Sequence, residues 1–234
     1  MKKTLTVILA LVLVVALSVA GTMAYMTSTT EEVKNTFSVG NVGITLDEAK
    51  VDPKTGKAID DGVTRSQGND YRLYPGMTYD KDPTVHVDPE SEDCYIRIFA
   101  TVTCPDADTL TKLQNLIGRT HLEGAEGEEG IIRGYDASVW NRFGEPVVEG
   151  NTVKYEFRYK YNAATDTGVW TKGDPVDLPL FKEIAIPSEW TGDDVALLNG
   201  LNLDLIAEAI QAEGFENATA AWDHFPDAPA VPQA

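Results

Sequence analysis

The strongest constraint on the fold of this chain is an alternation of apolar and charged side chains over residues 153–161. One set of alternate positions is wholly apolar or aromatic: Val153, Tyr155, Phe157, Tyr159 and Tyr161. The positions between them are all charged: Lys154, Glu156, Arg158 and Lys160. Successive side chains of a β-strand point to opposite faces of a sheet, so this period of two predicts a strand with one buried and one solvated face.

The same period recurs elsewhere in the chain. Residues 94–102 carry a second apolar set: Cys94, Ile96, Ile98, Ala100 and Val102. Shorter runs occur at residues 42–46 and 85–87, and turn signals stand at residues 75–76 and 149–151. Residues 47–70 predict an exposed loop or an irregular hairpin. We therefore expect an all-β fold in which helix is the minority element.

Two segments predict helix. The first, residues 106–117, has apolar residues at helical spacing, with Asp106 or Asp108 as the N-cap and Gly118 just beyond its end. The second is a short helix within residues 217–224.

Residues 201–211 fit two structures. A helix would pair Ile206 with Ile210. A strand would align four side chains on one face: Leu203, Leu205, Ala207 and Ala209. The pattern alone leaves both structures open.

The chain begins with the features of an export signal. Two lysines precede an uncharged, largely apolar stretch, and Thr22 and Ala24 offer the small side chains that a signal peptidase accepts at positions −3 and −1. We expect cleavage before Tyr25. An uncleaved anchor is the alternative, because about 20 apolar residues can span a bilayer. Cleavage is favoured because no basic cluster follows the apolar stretch.

The predicted cleavage site and the strand pattern divide the chain into four parts. They are a cleavable signal peptide (1–24), an N-terminal arm (25–36), a β-sandwich domain (37–225) and a disordered tail rich in Pro and Ala (226–234). On this division the protein contacts the membrane only before its leader is cleaved, and it is then secreted to the cell surface or the extracellular matrix.

The charge of the mature chain restricts its partners. Without Lys2 and Lys3, the 19 basic residues fall to 17 against 37 acidic ones, a net charge of about −20. Such a charge argues against nucleic acid or anionic lipid as a partner. Cations and positively charged protein surfaces remain compatible with it.

The two cysteines do not have the spacing of an internal disulfide. The residues between Cys94 and Cys104 predict one strand, which would separate the two by about 30 Å. A disulfide needs Cα atoms within about 7 Å of each other. We expect two buried or edge thiols, with an intermolecular bridge as the alternative.

Catalytic and ligand-binding motifs are missing. The histidines at 86, 121 and 224 show no His-Glu-x-x-His spacing, and no Gly-x-Ser-x-Gly elbow occurs. The glycines of residues 124–130 are separated by glutamates, which would repel a phosphate. The aspartates of residues 52–61 match no EF-hand loop. We expect no enzymatic activity, no metal site and no cofactor.

Several short motifs point to one family. The junction at residues 21–25 is Gly-Thr-Met-Ala-Tyr, and a Thr-rich acidic stretch then leads to Asn-Thr-Phe-Ser-Val-Gly-Asn-Val-Gly-Ile at 35–44. Leu-Tyr-Pro-Gly at 73–76 precedes Val-His-Val at 85–87, and Ala-Glu-Ala-Ile-Gln-Ala-Glu-Gly-Phe stands at 207–215. These motifs resemble the TasA/camelysin family, which comprises secreted proteins of Gram-positive bacteria whose leaders are cut by a SipW-type signal peptidase.

The resemblance implies a jelly-roll-like two-sheet β-sandwich with short helices in its connections, and it favours strand at residues 201–211. Family members include fibre subunits of the biofilm matrix, in which the segment freed by leader cleavage inserts as a strand into a neighbouring subunit. The corresponding donor-strand residues here are Tyr25, Thr27, Thr29 and Val33. A disordered arm is the alternative for this segment.

From these observations we expect a secreted structural protein that self-associates into extracellular fibres, with the SipW-type signal peptidase as its processing partner. A cell-surface binding module is the alternative from another class. Camelysin itself is described as a metalloprotease, but that activity carries over poorly to a chain without a zinc-binding motif.

Overall fold

The computed structural model describes residues 41–120 and 131–225. In chain order its strands are β1 (Ile44–Ala49), β2 (Arg65–Ser66), β3 (Thr78–Asp80), β4 (Thr84–Val87), β5 (Cys94–Thr103), β6 (Ile132–Arg133), β7 (Trp140–Arg142), β8 (Val147–Glu149), β9 (Thr152–Tyr159), β10 (Val169–Trp170), β11 (Asp177–Pro179), β12 (Glu183–Ala185) and β13 (Asn202–Gln211). The α-helices are α1 (Ala107–Thr120), α2 (Gly192–Ala196) and α3 (Ala218–Trp222).

The strands form three antiparallel sheets. One sheet has the order β11-β4-β1-β2, and a small one has the order β3-β12-β6. In the largest sheet β5 is central, and β13 pairs along one of its edges. On the other edge β10 pairs with the start of β5 and β9 pairs with the rest. β7 and β8 pair with the far edge of β9. The expected all-β fold is confirmed, and its arrangement is sandwich-like. The jelly-roll topology stays a prediction.

The four-stranded and the largest sheets share one apolar core. Val85 and Val87 of β4 pack in the same cluster as Ile96 and Ile98 of β5, as the period-two pattern predicts. Trp140 and Trp170 complete this cluster, and each indole N–H donates to a backbone carbonyl. A second cluster lies under α1, around Leu110, Leu113, Val153 and Trp190.

The expectation of a solvated outer face on β9 is wrong at Arg158, which is only 6% exposed. The reason is the C-terminal segment, because α3 packs on the outer face of the largest sheet through Ala221 and Trp222. β5 is consequently covered on both faces, with Tyr95 in the cluster beneath α3.

The C-terminal ends of α1 and β9 differ from those predicted from the sequence. α1 continues past Gly118 to Thr120, and its cap is Asp106, whose Oδ1 accepts the Thr109 N–H at 2.7 Å. β9 ends at Tyr159, because Lys160 has φ of 41°, outside the extended region.

Three ambiguous or tentative segments are settled by the structure. Residues 202–211 form a strand, and residues 218–222 form the short helix that we expected. Residues 47–66 form an irregular hairpin, in which β2 pairs with the end of β1.

Candidate functional site: an open edge of the sandwich

The most unusual feature of the fold is the outer edge of β13. This strand pairs with β5 along its whole length of ten residues, from Asn202 opposite Thr103 to Gln211 opposite Cys94. No other strand in the described part of the chain pairs with it. β13 is therefore a long edge strand, and the backbone groups on its second side are available for pairing.

The register identifies which backbone groups those are. Just beyond β13, the Ala212 N–H donates to the Asp93 carbonyl at 2.8 Å, in the same register as the β13–β5 ladder. Pairs along an antiparallel ladder alternate between bonded and non-bonded, so even-numbered residues of β13 bond to β5. The odd-numbered ones direct N–H and C=O to the open edge: Leu203, Leu205, Ala207, Ala209 and Gln211. We call the N–H groups of the first four the edge amides.

A second edge, that of β1, lies beside the first, with Cα atoms of β1 and β13 within 8 Å of each other. The Gly43 carbonyl accepts the Asp88 N–H at 2.8 Å, so odd-numbered residues of β1 bond to β4. Ile44 and Leu46 direct their backbone groups away from β4, on the side where β2 pairs only with Glu48 and Ala49. One of these groups, the Leu46 carbonyl, accepts the side-chain amide of Gln67 at 3.1 Å.

The two edges border one groove of about 330 Å³, which we call the edge groove. Side chains of Ile44 and Leu46 pack against the same core cluster as those of Leu203 and Leu205. The groove is lined by Leu46, Asp47, Glu48, Ser66, Gln67, Gly68, Asn69, Lys81, Pro83, Leu203, Asp204, Leu205 and Ile206. Its walls thus combine apolar core side chains and backbone groups that can form hydrogen bonds with charged side chains, among them the paired Lys81 and Glu48.

β13 carries few of the devices that normally protect an edge strand. It contains no proline, and its register with β5 is continuous over all ten residues, without a bulge. Its two acidic residues, Asp204 and Glu208, lie on the outer face, and Glu208 is engaged by Arg97. Where Cα atoms of β1 lie within 8 Å of β13, a strand added from another chain requires the two edges to move apart, because paired strands lie about 4.8 Å from each neighbour.

A buried ion-pair cluster fixes β13 to β5. Nε of Arg97 donates to Oε2 of Glu208 at 2.7 Å, and the two residues lie directly opposite each other. The Arg97 guanidinium also stacks 4.2 Å from the ring centroid of Trp222. Beside this pair, Nε of Arg158 donates to Oε1 of Glu156 at 2.7 Å. The charges are therefore shielded from water by α3, and β13 is held firmly although its outer edge is open.

A polar network lies on the outer face of the four-stranded sheet. The His86 ring is 2.6 Å from Asp177 through Nδ1 and 2.9 Å from Asp47 through Nε2. Burial disfavours the imidazolium, but the hydrogen bonds to Asp177 and Asp47 outweigh it and raise the pKa of His86. Burial likewise opposes ionisation of Asp47, yet its hydrogen bonds to Arg65 and His86 lower its pKa. The network joins β11, β4, β1 and β2.

No group of three or more His, Cys, Asp or Glu side chains within residues 41–120 and 131–225 is arranged to hold a metal ion. The carboxylate of Asp52 instead accepts the Lys54 N–H at 2.7 Å, and that of Asp60 accepts the Thr64 N–H at 3.1 Å. Cys94 and Cys104 are buried free thiols at the two ends of β5, as the strand between them predicted. Burial raises the pKa of Cys94 to about 11.

The sequence-predicted residues divide into two groups. Thr22, Ala24 and Tyr25 at the cleavage site, and the donor-strand residues Tyr25, Thr27, Thr29 and Val33, lie outside the described residues. The strand alignment of residues 203–209 is confirmed, since all four odd-numbered side chains pack against the core.

The open edge itself was missed from the sequence. Alternation shows which face of a strand is buried but does not show whether the strand is central or terminal in its sheet. The available signal was the absence of proline and glycine throughout residues 202–211, which leaves the whole backbone of that segment able to pair.

Comparison of the chain with protein-family models, with curated proteins and with solved structures finds no match. Within the residues that the structure describes, no helix has both the length and the apolar character needed to cross a membrane.

Proposed function

We propose that this protein is a secreted structural subunit of the cell surface or extracellular matrix, and that its copies assemble into fibres by adding a strand to the edge groove. The observation that carries the proposal is the ten-residue edge of β13, whose second side has no partner among the described residues. Added strands bind mainly through main-chain hydrogen bonds, which this edge offers at every second residue.

The donor in this proposal is the arm at residues 25–36 of another copy, freed when the leader is removed. Its alternate side chains Tyr25, Thr27, Thr29 and Val33 would enter the groove, while its backbone pairs with the edge amides of β13. Such a contact joins different surfaces of the two copies. Contacts of this kind propagate as a filament when they do not close into a ring.

The charge of the chain makes a separate contribution to the proposal. Copies that carry about −20 each repel one another, and the repulsion is screened by salt over a Debye length of about 8 Å at physiological ionic strength. We therefore expect filament growth to be faster at higher salt. A surface that bound its partner only through charge would show the opposite dependence.

The test is deletion of Tyr25–Val33 from the mature protein. We expect a soluble monomer with an unchanged β-sheet circular dichroism spectrum and no filaments in negative-stain micrographs, because the donor is lost while the acceptor fold is kept. The matched control replaces the same residues by a Gly/Ser segment of equal length, which should behave like the deletion. Filaments formed by the truncated protein would refute the donor-strand mechanism.

A further inference from the structure

The two core clusters do not merge completely, and an apolar cavity of about 140 Å³, partly open to solvent, lies between them. α1 forms one wall through Leu110, Leu113, Gln114 and Ile117. The inner face of the largest sheet forms the opposite wall through Ala100, Val102, Val153, Tyr155, Phe157 and Leu203. Ile132, Tyr135, Leu180 and Phe181 close its sides.

The lining suits an uncharged guest. Among the described residues around the cavity none is charged, and the polar ones are Gln114, Tyr135 and Tyr155. The hydroxyl of Tyr135 already donates to the Trp140 carbonyl. A water molecule needs two to four polar partners to be stable in a cavity, and this lining offers few.

Several side chains that line the cavity are less buried than expected for the inner face of central strands. Val102, Tyr155 and Phe157 lie on the inner face of the central strands, yet each is only half-buried. Ala100, in contrast, is 7% exposed and packs its small methyl group at the wall of the cavity. The half-burial of Val102, Tyr155 and Phe157 shows that the cavity opens toward solvent on one side and is not an enclosed void.

We propose that this cavity binds one small, uncharged apolar molecule, of the size of a benzene ring or a short alkyl chain. An enclosed cavity of about 150 Å³ lined by Leu, Ile and Phe stays dry and binds benzene or xenon. The cavity under α1 has a similar volume and a similar apolar lining, but it opens to solvent at Gln114. The guest enters beside the exposed Gln114 on α1. Binding is driven by contact with the lining and by removal of apolar surface from water.

The experiment measures the melting temperature of the full-length chain with and without benzene. At benzene concentrations about tenfold above Kd, we expect the temperature to rise by roughly 3–6 °C. The variant Ala100→Leu fills the cavity, so it should melt at the same or a higher temperature than the unaltered protein and lose the benzene shift. Ala164→Leu is the control, because it adds the same carbons at an exposed position and should keep the shift.

Val102→Leu provides a second filling variant should Ala100→Leu fail to fold, and it should reduce the benzene shift. A shift that is equal in the unaltered protein and in a folded filling variant would place the binding elsewhere and overturn the proposal. The absence of any shift in the unaltered protein at saturating benzene would also overturn it. Xenon bound between α1 and β5 in pressurised crystals would support it independently.

Discussion

β5 and β13 are neighbouring strands of equal length and nearly equal pattern, but they differ in how their edges are occupied. Both have ten residues, and both place alternate apolar side chains on the inner face. Within the described residues β5 is paired along both edges, whereas β13 is paired along one. The comparison shows that side-chain pattern determines what a strand buries, while its place in the sheet determines whether it can bind another chain.

The two strands also differ in burial. Ile98 of β5 is fully buried, while its counterparts on β13, including Leu205, are half-buried beside the edge groove. Half-burial of these side chains does not make β13 loosely attached to the sheet. β13 is a firmly held strand with one accessible side, because the Arg97–Glu208 pair attaches it to β5.

The largest expected effect is that of a charge placed in the core of each strand. Ile98→Asp should lower the free energy of unfolding by about 4 kcal/mol or more, because the carboxylate is buried without a partner. Leu205→Asp should cost less, about 2–3 kcal/mol, because its carboxylate can reach water through the edge groove. Urea unfolding of both variants checks this order, with Ile206→Asp on the outer face as the mildest. Equal losses at 98 and 205 would show that the groove is closed.

The second prediction concerns the pair that joins the strands. Glu208→Leu removes the nearer carboxylate of the buried Arg97 guanidinium and leaves only Glu156 at 3.8 Å, so it should cost about 2–3 kcal/mol. The double variant Arg97→Met with Glu208→Leu should recover most of that loss, because it removes both charges and keeps the volume. A double-mutant cycle in urea measures the coupling. A coupling near zero would mean that the pair does not attach β13 to β5.

The third prediction separates the two sides of β13. Ile206→Pro removes an N–H that bonds to β5, leaves the Phe99 carbonyl unsatisfied and should cost about 1–3 kcal/mol. Ala207→Pro removes only an edge amide, so its effect on stability should be smaller, while filament formation should be strongly reduced. Ala207→Gly keeps the N–H and serves as the matched control. Normal filaments from Ala207→Pro would contradict the assignment of the free edge.

The smallest expected effect is the pH dependence of the four-stranded sheet. The pKa of His86 is higher in the folded chain than in the unfolded one, so its contribution to stability is complete below the unfolded value of about 6.5 and is lost as pH rises through the folded value. Asp47 has a lowered pKa, and its contribution is present above the unfolded value and is lost as pH falls through the folded one.

We therefore expect the urea midpoint to fall modestly as pH rises above 6.5, and His86→Gln to remove most of that slope. His224→Gln is the control, because His224 contacts the Ala220 carbonyl and forms no ion pair with another described residue. A slope that persists in His86→Gln but disappears in His224→Gln would show that His224, and not His86, causes the pH dependence.

Much of the fold was predictable because it depends on local pattern. The strand containing Ile96 and Ile98 and the short helix near Trp222 follow from periodicity and capping residues. The covered outer face at Arg158 was not predictable, because burial of a charged side chain there depends on a segment about 60 residues further along the chain. The edge of β13 and the apolar cavity were likewise not predicted, since both depend on sheet order and helix placement.

The central claim is that the odd-numbered backbone of β13 is open in the monomer and paired in the fibre. Residue-resolved hydrogen exchange tests it most directly, with the even-numbered amides of the same strand as internal controls. In the monomer, the amides of Asp204, Ile206 and Glu208 should exchange slowly and the edge amides quickly. In assembled material, we predict that the edge amides become as protected as their neighbours. Edge amides that still exchange quickly in the fibre would contradict the account.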